Sequence, residues 1–182
     1  MAGRNPQEAV GNYRDPLNEA VACATDPHLI LSRRSGFRVG EEYSLALLEG
    51  DPVRLPGAAR VAISLVQYFQ IVEDDRPDYG PYRVRTTAYY YTIEDVEGHE
   101  VLAYHWHPQA PNSRTLHPHV HLQYGARVGR RELAGSHVPT GRVAVEDFLR
   151  LLIEPFGVPP RNVGWKETLG RTKGRFDSYE GW

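Results

Sequence analysis

Apolar and polar residues alternate through the middle of the chain and switch to a helical period near its end. Val61, Ile63, Leu65, Gln67, Phe69 and Ile71 share one face of the longest alternating run, the pattern of a strand with one side buried. Leu29 to Leu31, Tyr43 to Leu48, Tyr82 to Ile93, Glu100 to His107 and Pro118 to Tyr124 have the β-branched and aromatic content of further strands. Glu49-Gly50-Asp51-Pro52 and Glu94-Asp95-Val96-Glu97-Gly98 supply turns between them. Val145, Phe148, Leu149, Leu152 and Phe156 then recur at helical spacing, with Gly157 and Pro159-Pro160 as a stop. The pattern predicts an α+β fold, an antiparallel sheet of about five to seven strands with this C-terminal amphipathic helix packed on one face.

The ends carry weaker signals. Residues 1–14 show no periodicity and read as a loose N-terminal arm, followed by Asp15-Pro16 as an N-cap and first-turn proline for a short helix. A second short helix is expected around Val163 to Leu169, with 171–182 as a loose tail. The length, 182 residues, suits one domain over 1–182.

Composition narrows the function. A formal net charge of -2 argues against a broadly basic nucleic-acid surface, though local patches remain open. Cys23 is the sole cysteine, so neither an internal disulfide nor a thiolate metal cluster can form. No apolar run approaches the roughly 20 residues that span a bilayer, and the start of the chain lacks a signal-peptide core. The expectation is a cytoplasmic protein with no membrane partner.

The chemistry concentrates between His105 and Gln123. Five of the eight histidines lie there, as His105-Trp106-His107 and His117-Pro118-His119-Val120-His121. On paired strands, His105 and His107 could face His119 and His121. Three readings follow. Neutral imidazoles at His105, His107, His119 and His121 could ligate a divalent metal, with Glu100 or Glu132 approaching in the fold. Alternatively, two rings could divide proton donor and acceptor roles in RNA cleavage, with Arg114 or Arg142 holding phosphate and Tyr89 or Tyr91 stacking on a base. In the third, the rings are structural and the sheet edge and tyrosines serve a non-enzymatic, partner-binding protein.

Tyr82 to Glu154 also resembles the TumE-type toxins of bacterial toxin-antitoxin pairs. The similar elements are the hairpin at Asp95-Val96-Glu97-Gly98, the aromatic strand ending at His107-Pro108, the proline-containing loop after it, Pro118-His119-Val120-His121, and the helix Val145 to Glu154. The resemblance covers under half of the chain. It implies a small cytoplasmic α+β protein that acts on RNA and is restrained by a protein partner such as an antitoxin. Combined with the histidines, it makes a toxin-like, RNA-directed enzyme the leading expectation, with no cofactor or a histidine-bound divalent metal.

Overall fold

A computed structural model describes residues 2–57, 59–74, 80–109, 116–122, 127–128, 131–132 and 136–179. In chain order its elements are β1 (Ala2–Gly3), α1 (Pro6–Val21), β2 (Leu29–Leu31), β3 (Glu42–Leu47), β4 (Val53–Arg54) and β5 (Ala62–Glu73). They continue with β6 (Tyr82–Glu94), β7 (Glu100–Trp106), β8 (His119–Leu122), β9 (Arg127–Val128), β10 (Arg131–Glu132), β11 (Ser136–Pro139), α2 (Val145–Ile153) and α3 (Trp165–Tyr179).

Nine of these strands form one open sheet. Its path is β11-β8-β7-β6-β5-β3-β2, with β1 added to β6 and β4 to β5, while β9 and β10 pair with each other. All of these strand pairs are antiparallel. At the β6–β7 turn, Asp95 Oδ1 accepts the N–H groups of Glu97 and His99, and Gly98 takes a positive φ of 84° that a side chain would oppose. The α+β expectation holds, but the sheet has nine strands rather than five to seven. Two of the additions, β1 and β4, are two residues long, too short to leave an alternating trace.

Alternation gives the sheet two unlike faces. Leu45, Leu47, Ile63, Leu65, Phe69, Ile71, Tyr89, Tyr91, Ile93 and Trp106 belong to one buried core with Phe148, Leu149 and Leu152 of α2. Phe148 lies 5.4 Å from Tyr91 and 6.5 Å from Tyr104, ring to ring, so α2 covers this face. Helix α1 covers it too, through the Tyr13 ring 5.4 Å from Phe69 and a buried hydrogen bond of 2.8 Å from the Tyr13 hydroxyl to Gln67 Oε1. The other face carries Tyr68, Tyr90, His105, His107, His119 and His121, and no described helix packs on it.

Both chain ends are more ordered than their sequence pattern suggests. The expected loose arm over 1–14 is structured from residue 2 on: Ala2–Gly3 pairs with β6, and α1 begins at Pro6. Asn5 is its N-cap, accepting the Glu8 N–H at 2.9 Å, and Pro6 stands in the first turn where its missing N–H has no partner to lose. The helix runs straight through Pro16, which sequence reading takes for its start. An internal proline costs about 3 kcal/mol. Burial of Val10, Tyr13, Leu17 and Val21, at roughly 1.5–3 kcal/mol for each large apolar side chain, outweighs it.

At the other end α3 extends to Tyr179, well past Leu169 and into the expected tail. Thr172 is fully buried, Arg171 meets Glu19 of α1 at 2.8 Å, and Lys173 meets Asp147 of α2 at 2.7 Å. Among the described residues, no helix is long and apolar enough to cross a membrane.

Candidate functional site

Strand register assembles the histidines. On the face away from the helices, Tyr90 of β6 stands opposite His105 of β7, and His105 opposite His119 of β8. One row along, Ala103 faces His121, and His121 faces His137 of β11. Directly opposed side chains in a ladder have Cβ atoms about 5 Å apart, so His105 meets His119 and His121 meets His137, while alternation along β7 puts His107 on the same face. Ring centroids are 4.3 Å apart for His105 and His121, 4.2 Å for His121 and His137, 4.8 Å for His119 and His137, and 5.8 Å for His107 and His119. The alanine at 103 is what leaves room beside them.

Hydrogen bonding fixes the inner ring orientations. His119 is buried, and its Nδ1 lies 3.0 Å from the carbonyl oxygen of His117. A carbonyl only accepts, so the proton of His119 is on Nδ1 and its Nε2 carries a lone pair. Nδ1 of His121 faces Glu100 Oε1 at 3.6 Å, a charge contact longer than a hydrogen bond. The Nε2 atoms of the two rings lie 3.1 Å apart, within hydrogen-bonding distance, and His121 is the donor when His119 carries its proton on Nδ1. With its proton on Nδ1 instead, His121 would turn a second lone pair to the same point, and the two nitrogens could share a metal ion.

Crowding also disfavours a charge on His105 and His121. Burial, and then the neighbouring His121, His119, His107 and His137, lower the His105 pKa from 6.5 to about 3. His121 is lowered by burial first and by His137 next, with Glu100 opposing. His107 stacks on Tyr90 with ring centroids 5.4 Å apart, and its buried Nδ1 has no hydrogen-bond partner among the described residues.

The four histidines singled out from sequence, His105, His107, His119 and His121, thus lie together. The tyrosine and arginine candidates do not join them. Tyr89 and Tyr91 are core residues, 2 % and 0 % exposed, so neither can stack on a substrate base. Tyr89 stands opposite Trp106 and Tyr91 opposite Tyr104, which turns Tyr90 towards the histidines instead. Arg142 lies over the Trp106 ring, 3.8 Å from its centroid, at the rim of the sheet. Arg114 and the Glu132 side chain lie outside the described residues.

Sequence reading missed His137, Tyr90 and Arg85. His137 sits on a four-residue edge strand that ends at a proline, a segment with no alternating run to mark it. Glu100 was visible as a candidate carboxylate, and the structure places it beside His121.

Two depressions adjoin the cluster. A cleft of about 360 Å³ is lined by Glu42, Tyr68, Thr87, Ala88, Tyr90, His107 and Gln109. A smaller recess of about 210 Å³ is lined by Arg85, Thr86, Thr87, Trp106, Pro108, Gln109 and Arg142. Thr87 and Gln109 border both, because β5 and β6 slip register at Tyr68/Phe69 and leave Thr87 as the extra residue of a bulge.

Three overlapping groups have ligand atoms within 4.8 Å of one another: His119, His121 and His137; His105, His107 and His119; and Glu100, His105 and His121. His119 can offer only Nε2, which already faces His121. The first group is therefore the best-formed donor set. No protein-family model, curated protein or solved structure matches this chain.

Proposed function

We propose that the protein is a cytoplasmic metal-dependent enzyme that holds one divalent transition ion, with zinc the best fit, on His119, His121 and His137. The observation that carries this reading is the 3.1 Å approach of the His119 and His121 Nε2 atoms, with His119 Nδ1 held by the His117 carbonyl and His121 Nδ1 facing Glu100. Zinc–nitrogen bonds of about 2.0–2.1 Å put two ligands of a tetrahedral ion about 3.3 Å apart, close to that separation. A carboxylate or carbonyl behind each ligating imidazole is the usual outer support of such a site. Three imidazoles leave a fourth position for water, and exposed His137 leaves it reachable from solvent. Metal-bound water is a nucleophile near neutral pH, so the reaction class is hydrolysis.

A toxin-like action on RNA draws on the same rings, and Tyr90, packed against His105 and His107, is the feature that favours it, as a stacking surface for a base. One set of measurements addresses both. Protein purified without a histidine tag and loaded with zinc should carry about one ion per chain, and His119→Ala with His121→Ala should abolish this while circular dichroism stays native. A wild-type protein that takes up no metal ends the metal reading. If the double variant inhibits growth on expression as strongly as the parent, the RNA reading ends as well.

A further inference from the structure

The cleft beside His107 and the recess beyond it differ in charge, and the difference bears on what the site accepts. The recess has two arginines, Arg85 and Arg142, in its lining. Arg85 Nη2 donates to Gln70 Oε1 at 3.2 Å, and the Arg142 guanidinium carbon lies over the Trp106 ring, 3.8 Å from its centroid. Fixed guanidiniums need little ordering on binding and match the oxygens of a carboxylate or phosphate two at a time.

The cleft itself has no arginine or lysine in its lining. It is walled by Tyr68 and Tyr90, whose rings meet edge to face at 6.2 Å, and by the His107 ring stacked on Tyr90. Its charged wall residue is Glu42, which accepts a hydrogen bond from the Thr87 hydroxyl at 2.8 Å. Glu100 adds a second carboxylate on the far side of the histidines. A polyanion laid along this face would meet both acids, whereas a molecule with a single anionic end would avoid them.

We infer that the site takes a small aromatic oxyanion, with its ring in the tyrosine-walled cleft next to His107 and its carboxylate or phosphate in the recess between Arg85 and Arg142. The inference deepens the metal-dependent reading, on which it rests for where the reaction would occur, but the anion site is separate from the histidine donors and can be measured without metal. Taken together, the two volumes of about 360 and 210 Å³ fall in the range of small-molecule sites.

The test is calorimetric titration of chelator-treated, full-length protein with benzoate, phenyl phosphate and a short single-stranded oligoribonucleotide. Saturable binding of benzoate or phenyl phosphate is expected, and the stronger of the two identifies the oxyanion. Arg85→Ala and Arg142→Ala should each weaken it about tenfold, with Arg142→Lys intermediate, because a lysine keeps the charge and loses the fork. Arg85 is exposed, so its replacement leaves the fold intact. Absence of saturation, or dissociation constants indifferent to both arginines, overturns the inference. Binding that appears only after zinc is added also overturns it, because the anion would then sit on the metal. An oligoribonucleotide that binds more tightly than phenyl phosphate, in a manner dependent on Arg85 and Arg142, overturns the small-substrate class. Failure of the chelator-treated protein to take up zinc would instead remove the metal reading and leave the anion site standing.

Discussion

Replacing Glu100 isolates the part played by the group behind the metal ligands. Its Oε1 lies 3.6 Å from His121 Nδ1, and both side chains are largely shielded from water, with 26 % and 16 % exposure. Glu100→Gln keeps an oxygen that can accept the Nδ1 proton but removes the charge that makes Nε2 more basic. Glu100→Ala removes both. Losing such an outer partner typically lowers metal affinity 10–100-fold, so glutamine belongs near the lower end and alanine near the upper. With free zinc at a hundred times the wild-type dissociation constant, binding adds about 2.7 kcal/mol of stability. A tenfold loss leaves about 1.4 kcal/mol by the same relation. For a chain of this size each kcal/mol moves the melting midpoint by about 2–4 °C, so the glutamine variant should melt about 3–5 °C lower than wild type in zinc and at the same temperature in chelator. Competition against a chromophoric chelator gives the affinity directly. Equal zinc affinity in wild type, glutamine and alanine variants would refute the argument, because the His121 orientation would then owe nothing to Glu100.

Metal-free protein should lose stability as the pH falls below 6.5. Above that value His105 is neutral whether folded or not and contributes no slope; below it the unfolded chain takes up a proton that the folded ring refuses until about pH 3. Denaturant midpoints measured from pH 7 to 5 should show the decline, His105→Gln should flatten it, and an unchanged slope in that variant would contradict the assignment. Phe148→Ala should cost about 3–5 kcal/mol, since the ring is fully buried between α2 and the tyrosines of β6 and β7; a loss under 1 kcal/mol in equilibrium unfolding would mean that α2 does not anchor the sheet.

The fold class was legible because β5 and α2 carry uninterrupted periods, and their alternate or stacked apolar residues are those found in the core. Helix α1 was hidden by its own proline: Pro16 is a start signal in isolation, and only the buried stripe from Ala9 to Val21, completed by sheet contacts, shows that the helix passes through it. The histidines on β7 and β8 were legible as two alternating pairs. What joins them is register, and register lies outside local sequence. Tyr89, Tyr90 and Tyr91 are equivalent as letters, and the β6–β7 pairing alone decides that the middle one meets His105. His137 became a neighbour only through the pairing of β11 with β8, across a stretch of chain from which the sequence offers no distance information.

All three described helices lean on one side of the sheet, and the five clustered imidazoles occupy the other. Structural duty and chemical duty therefore fall on alternate letters of the same strands, with Trp106 serving one and His105 and His107 the other. Such a layout permits exchange of ligating side chains, one by one, while the hydrophobic interior goes on specifying the same shape. It makes this protein a ready chassis for redesign, in which carboxylates or thiols could be installed on the bare side to select a different ion.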